Sequence, residues 1–191
     1  MYRVCFVCTG NICRSPMAES VFRAHVTEAG LDGLVEVDSA GTGGWHEGDG
    51  ADPRTIAVLE AAGYEQDHRA RQFRASWFDR LDLVIALDAG HLRDLRALAP
   101  TPEHASKVRL LRSYDPAVAG VSTPSAPSAP SAHSARSAPS APSCAETDVP
   151  DPYYGSLDGF EECLELVEAA SPGLLEAVRE AALAAVESAT P

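Results

Sequence analysis

Cys8 and Arg14 bracket a five-residue stretch in "CTGNICRSP", residues 8–16, and Ser15-Pro16 close it. A thiol and a guanidinium at that spacing suit chemistry on a tetrahedral oxyanion, because the planar fork of Arg14 can bind two of its oxygens. Gly10 and Asn11 suit a loop that needs left-handed dihedrals. Such a loop, Thr9-Gly10-Asn11-Ile12-Cys13, can aim successive backbone N–H groups inward as an anion nest. The helix opened by Ser15-Pro16 adds its N-terminal partial charge at the same point. A cysteine in that field is expected to ionise, since helix N-termini and cations bring thiols from about 8.5 into the ~3.5–7.5 range. Cys8 would then attack phosphorus in line and form a phosphocysteine, while the loop and Arg14 stabilise the equatorial oxygens. In isolation the pattern also fits three small buried residues, Cys5, Cys8 and Cys13; its place between a strand and a helix favours the chemical reading.

A phosphoester leaving group needs a proton, so a general acid is expected elsewhere in the chain. "DPYYG", residues 151–155, offers Asp151 in a Pro-fixed turn beside Tyr153 and Tyr154. Alone, Asp-Pro is an ordinary turn or cap. Pairing with the cysteine loop makes it a candidate.

The elements that must position these groups read as an alternation of strands and helices. "RVCFV" (3–7) and "LDLVIAL" (81–87) are nearly continuous apolar runs, as expected of parallel strands covered on both faces. "LVEVDS" (34–39) alternates more and suggests a strand nearer an edge, and "KVRLL" (107–111) is the fourth candidate. Helices are expected over 16–29, with Met17, Ala18, Val21, Phe22, His25 and Ala29 along one side, over 53–62 after an Asp52 cap, and over 89–98. Phe160, Cys163, Leu164 and Val167 mark a C-terminal helix at helical spacing, which Ser171-Pro172-Gly173 should break into two. The alternation implies an α/β fold in three layers, a central four-stranded parallel sheet with helices on both faces. Cys8 then lies at the carboxyl end of a strand, where open α/β sheets bind ligands.

At 191 residues and 45% hydrophobic content, the chain is expected to form a single domain, 1–191. One tract departs from that plan: "STPSAPSAPSAHSARSAPSAPSCA", residues 122–145, is a Ser-Ala-x repeat with one charge, Arg136, and no aromatic residue. It cannot bury enough surface to offset its ordering entropy, so it reads as a disordered loop inserted into the domain. The net charge of −13 argues against nucleic acid, which requires clustered Lys and Arg. Eleven acids stand against Arg179 alone beyond residue 145, which reads as a solvated acidic helix face. No apolar run approaches a membrane span, and "MYRVCFVC" is too short for a signal peptide. Five unevenly spaced cysteines fit a reducing compartment, so a cytoplasmic location is expected. No His or Cys spacing suits a metal, and no cofactor is implied.

Taken together, the chain resembles the low-molecular-weight protein tyrosine phosphatase family. The matching pieces are "VCFVCTGNICRSPMAE", "DSAGTGGWHEGDGADPRT" (38–55), "HRARQF" (68–73), "ALDAGHLRDL" (86–95), "LLRSYDP" (110–116) and "DPYYGSLDGFEEC" (151–163), in the family's order. The resemblance implies Cys8 as nucleophile, Arg14 as phosphate clamp and Asp151 as general acid and base. It makes Ser15 the hydroxyl that hydrogen-bonds the thiolate, and Asn11 the residue that holds the loop's strained shape, supported by Ser39 and His68. It makes Ile12, Trp45, Tyr153 and Tyr154 the walls of an aromatic slot that favours phosphotyrosine in protein substrates, phosphoserine being too short to reach the sulfur. Cys13 matches a second cysteine able to trap Cys8 in a reversible disulfide, or a small loop-packing residue.

Two other readings stand beside this one: an arsenate reductase or thiol-redox protein using Cys8 and Cys13, and a phosphopeptide-binding module without turnover. Arsenate reductases on this scaffold carry redox cysteines just after the strand equivalent to 81–87, where this chain reads "ALDAGHL". Protein-arginine phosphatases carry Thr at the place of Ile12. Oligomeric state is open at this level.

Overall fold

The computed structural model describes residues 1–119 and 147–188; the expected insertion at 122–145, with His133 and Cys144, lies outside the described residues. In chain order the elements are β1 (Tyr2–Cys8), α1 (Arg14–Glu28), β2 (Val35–Gly41), α2 (Pro53–Ala61), β3 (Leu83–Ala86), α3 (Ala89–Leu98), α4 (Pro102–Ser106), β4 (Val108–Leu110), α5 (Pro116–Ala119) and α6 (Leu157–Ser188). Two 3-10 turns, Ala75–Asp79 and Leu111–Tyr114, complete them.

The four strands form one parallel sheet in the order β2-β1-β3-β4, with β2 at an edge, as its alternating sequence suggested. Successive side chains of a strand point to opposite faces, and in the central strands both sets are apolar. Val4, Phe6 and Cys8 of β1 and Ile85 of β3 join Met17, Val21 and Phe22 of α1, Leu59 of α2 and Phe160 and Leu174 of α6. Cys5, Val7, Val84 and Ala86 face the other way, onto Phe73, Phe78 and Leu95. This is the expected three-layer α/β architecture. The sheet grows from β1 toward β2 on one side and toward β3 on the other, so a crevice opens outside the carboxyl ends of β1 and β3. Cys8 ends β1, and Asp88 caps the helix after β3.

Two expectations about helices need correction. The buried stripe of α1 runs through Val26, whereas His25 is half-buried and Ala29, beyond the last turn, is exposed. Val26 sits one turn beyond Phe22, so it continues the stripe. The larger correction is that α6 runs unbroken through Pro172. A proline inside a helix costs about 3 kcal/mol, while burying a Val or Leu side chain contributes about 1.5–3 kcal/mol. Leu174, Val178 and Ala182 beyond the proline are all buried against the core, which outweighs that cost. The Ser171 hydroxyl also donates to the Val167 carbonyl at 2.7 Å, one turn back.

Gly173 belongs to the same accommodation, because a Cβ there would run into the Tyr114 carbonyl oxygen. At an exposed helical site Gly→Ala stabilises by about 0.8–1 kcal/mol. Gly173→Ala is expected to destabilise instead, by roughly 1–3 kcal/mol of overpacking, read from the midpoint of urea unfolding. A rise in midpoint would show that the helix does not need this close approach.

Candidate active site

The loop from Cys8 to Ser15 is shaped by one amide. Asn11 has φ 57°, the one non-glycine residue with positive φ among the described residues. Its conformation is held by four contacts. The Arg71 backbone N–H donates to Asn11 Oδ1 at 2.9 Å, which assigns the other end of the amide as the NH₂ group. That group donates to Ser15 Oγ and to Ser39 Oγ, both at 2.9 Å. His68 Nε2–H donates to the Asn11 carbonyl at 2.6 Å.

Each serine accepts from Asn11 and so has its own proton free for another partner. Ser39 donates to Glu19 Oε2 at 2.5 Å. Ser15 Oγ lies 3.0 Å from Cys8 Sγ and 3.3 Å from the Ala40 carbonyl. Burial works to raise the Glu19 carboxyl, but hydrogen bonds from His68 and Ser39 and the charge of Arg23 outweigh it, and Glu19 lies below its usual range.

The backbone of the loop is packed from behind. Thr42 N–H donates to the Cys8 carbonyl at 2.8 Å, Gly43 N–H to the Thr9 carbonyl at 2.9 Å and Asp52 N–H to the Ile12 carbonyl at 2.8 Å. A Cβ on Gly41 would lie 2.7 Å from the Thr9 carbonyl oxygen, so only glycine allows this approach. These bonds consume carbonyls. Among the described residues, no backbone N–H of residues 10–13 donates to a backbone carbonyl, which is the arrangement an anion nest requires.

Arg14, the first residue of α1, is 3% exposed and reaches across the crevice. Its Nη1 donates to Asp88 Oδ2 at 2.8 Å and to the Val149 carbonyl at 3.2 Å, and its Nη2 donates to Asp151 Oδ2 at 2.9 Å. Asp88 caps α3 by accepting from His91 N–H at 2.7 Å, and His91 Nδ1 stands 3.0 Å from Asp88 Oδ2. Burial opposes ionisation of Asp88, yet the His91 contacts and the Arg14 charge hold it well below the usual carboxylate range. His91 Nε2 in turn shares a 2.9 Å hydrogen bond with Thr9 Oγ1. The other described cysteines are kept as thiols: burial pushes Cys5, Cys13 and Cys163 up to about 12, with the Asp52 charge adding at Cys13.

Cys8, Thr9, Gly10, Ile12, Cys13, Arg14, Trp45, Asp151, Tyr153 and Tyr154 line one cleft of about 340 Å³. The expected site residues that do not line it, Asn11, Ser15, Ser39 and His68, lie under the loop in the network above. Trp45 is 77% exposed and rests on Gly43, where any Cβ would overlap the indole. The Tyr153 and Tyr154 rings stand edge to face at 4.9 Å, and the Asp151 side chain beside them is about half exposed.

A model of the family described as "Low molecular weight phosphotyrosine protein phosphatase" matches residues 3–134 and 139–184. The chain belongs to that family. It is 68% identical over 179 residues to a low molecular weight protein-tyrosine-phosphatase of Streptomyces coelicolor, covering 94% of both chains. It is 45% identical over 177 residues to low molecular weight protein-tyrosine phosphatase A of Mycobacterium bovis, covering 93% of this chain and 91% of that one. Among solved structures, a protein tyrosine phosphatase from Entamoeba histolytica superposes with a TM-score of 0.76 at 29% identity, covering 95% of this chain and 99% of that chain.

Sequence reasoning missed several partners that this phosphatase places around the site. Asp88, on Arg14, carried a legible signal: it directly follows a parallel strand, where ligand groups gather. Glu19 stands one helical turn beyond Ser15 on a helix face that is buried throughout. His46 lines the cleft next to Trp45, and His91, Arg71 and Arg54 contact the loop or the acid turn through the tertiary fold alone.

Proposed function

We propose that the cleft hydrolyses phosphotyrosine monoesters of proteins through a phosphocysteine on Cys8. The observation that carries this reading is the meeting of the cysteine–arginine loop with an acid distant in sequence. Arg14 lies 2.9 Å from Asp151, 137 residues away, and at the N-terminus of the helix whose Ser15 touches Cys8. In the first step Cys8 Sγ attacks phosphorus, the P–O bond to tyrosine breaks, and Asp151 gives its proton to the departing phenolate oxygen. In the second, Asp151 as carboxylate takes a proton from water. The water oxygen bonds phosphorus, the S–P bond breaks, and inorganic phosphate leaves. The loop N–H groups and the Arg14 fork hold the equatorial oxygens in both steps. The Ser15 hydroxyl stabilises the sulfur anion when it is released.

Ile12, Trp45, Tyr153 and Tyr154 supply the slot for the phenyl ring, with Thr9, Gly10 and Cys13 completing the loop. We place the enzyme in the cytoplasm, acting on tyrosine-phosphorylated proteins without a cofactor, as one domain over 1–191 with the 122–145 tract as an insertion. The net charge of −13 disfavours nucleic acid, and no described helix is long and apolar enough to cross a membrane. The arsenate-reducing alternative has little support: Leu87-Asp88-Ala89-Gly90 after β3 holds no cysteine, and Asp88 is committed to Arg14.

Asp151→Asn tests the acid. For phenyl phosphate kcat/KM, which reports the step that expels the phenolate, is expected to fall by about 10²-fold, and for 4-nitrophenyl phosphate by distinctly less, since its phenolate leaves with little need of a proton. A loss of equal size for both esters would remove Asp151 from the role.

A further inference from the structure

We propose that Arg54 is a positioning residue that fixes the acid turn at its height above the phosphate loop. The inference rests on the reading of Asp151 as the general acid. Arg54 does not line the cleft. Its guanidinium instead spends four N–H donors on two partners that the chain brings together from far apart. Nε and Nη2 hold the two oxygens of Asp52 at 3.0 and 2.9 Å. Nη2 and Nη1 donate to the carbonyls of Tyr153 and Gly155, both at 3.0 Å.

The Asp52 side of this clamp is rigid. Asp52 caps α2 through the Arg54 N–H at 2.9 Å, and its own backbone N–H donates to the Ile12 carbonyl in the loop. Hydrogen bonds from Arg54 hold the Asp52 carboxyl below its usual range against the pull of burial. The guanidinium also lies 4.4 Å over the fully buried ring of Phe160, in the first turn of α6. One side chain therefore joins the start of α2, the acid turn and the start of α6, and Asp52 ties that junction to the phosphate loop.

The acid turn needs such a tie on its far side. Its entry is held by the end of β3, because Val149 N–H donates to the Leu87 carbonyl at 2.8 Å and Asp148 accepts from Ala89 N–H at 2.9 Å. Beyond Pro152 the segment is mostly exposed: Tyr153, Tyr154, Gly155 and Ser156 all face outward. The Asp151 carboxylate accepts from Arg14 at 2.9 Å. Beyond it, among the described residues and apart from Arg54, the turn's bonds are local ones, Tyr153 N–H to Asp151 Oδ1 at 3.2 Å and Gly155 N–H to the Pro152 carbonyl at 2.9 Å. Local bonds set the shape of a turn. They do not set its distance from the sulfur, and an ångström of misplacement can cost a catalytic group most of its effect.

The experiment compares Arg54→Ala, Arg54→Lys and Asp151→Asn on phenyl and 4-nitrophenyl phosphate, with inorganic phosphate as a competitive inhibitor. Both Arg54 variants are expected to lose about tenfold in kcat/KM on phenyl phosphate and clearly less on the nitrophenyl ester, with phosphate inhibition unchanged because the loop is intact. Lysine should not rescue, since a point charge cannot span a carboxylate and two carbonyls; it also keeps the charge and stem should the alanine variant fail to fold. Wild-type kcat/KM on phenyl phosphate in Arg54→Lys, or equal losses on both esters with weakened phosphate inhibition, would overturn the proposal. If Asp151→Asn shows the leaving-group split and the Arg54 variants do not, the positioning role alone fails. If Asp151→Asn lacks the split, the acid assignment fails with it.

Discussion

Cys8→Ser is expected to abolish turnover of aryl phosphates, by about four orders of magnitude or more, while leaving phosphate binding nearly intact. The physical reason lies in the division of labour within the loop. Binding is carried by backbone N–H groups and Arg14, which the substitution does not touch. Loop shape is carried by Asn11, whose side-chain amide is fixed by Arg71, Ser15 and Ser39 and whose backbone carbonyl accepts from His68. What the substitution removes is a polarisable sulfur, a far better nucleophile and leaving group than a hydroxyl. A serine hydroxyl at this depth, 3% exposed, would have beside it the Ser15 hydroxyl, which is not a base able to take its proton. Steady-state hydrolysis of phenyl phosphate, with phosphate inhibition measured on the same variant, checks both halves. Turnover within tenfold of the wild type would end the phosphocysteine mechanism. Cys13→Ser is the matched control: its thiol is pushed up to about 12 by burial and the Asp52 charge, so its loss should cost little.

Arg14→Lys is expected to lower kcat/KM by about 10²–10³-fold, although the positive charge is kept. Arg14 is anchored through Nη1 by Asp88 and the Val149 carbonyl, which fixes the plane of the guanidinium. Two phosphate oxygens can be met at once only by that planar fork. A lysine ammonium can neutralise Asp88 or approach the phosphate, but it has no second coplanar donor. Because the charge is kept, the partly buried Asp88 carboxylate still has a cation beside it, and the unfolding midpoint should move little. Arg14→Ala should lower both activity and stability, since it removes a buried guanidinium and leaves the partly buried Asp88, among the described residues, with only its His91 contacts. A lysine variant within fivefold of the wild type would show that charge, not geometry, binds the phosphate.

Whatever could be read from sequence was local or carried by apolar periodicity. Cys8, Gly10, Asn11, Arg14 and Ser15 lie within one strand–loop–helix unit, whose spacing alone encodes a turn around an oxyanion. β1 and β3 were legible as central strands because both of their faces are apolar. Asp151 was a candidate only because the cysteine loop called for an acid, and Trp45, Ser39 and His68 entered through a family resemblance, since no spacing rule ties residues so far apart. The misread helix shows the converse. Pro172 is a local signal for a break, and the burial of Leu174, Val178 and Ala182 overrides it.

By itself, then, the sequence determined a parallel α/β sheet and an oxyanion loop with a cysteine at its head. Backbone dihedrals, helix termini and apolar alternation are properties of neighbouring residues, and that is why they can be read in order along the chain. Only the tertiary structure decided how far the arginine, the acid and the sulfur stand from one another. Those distances depend on Asp88 at the end of β3, Glu19 under Ser39, and Arg54 between Asp52 and the acid turn. Each is a polar contact whose partner is supplied by another element, so its strength depends on geometry the folded core must first create.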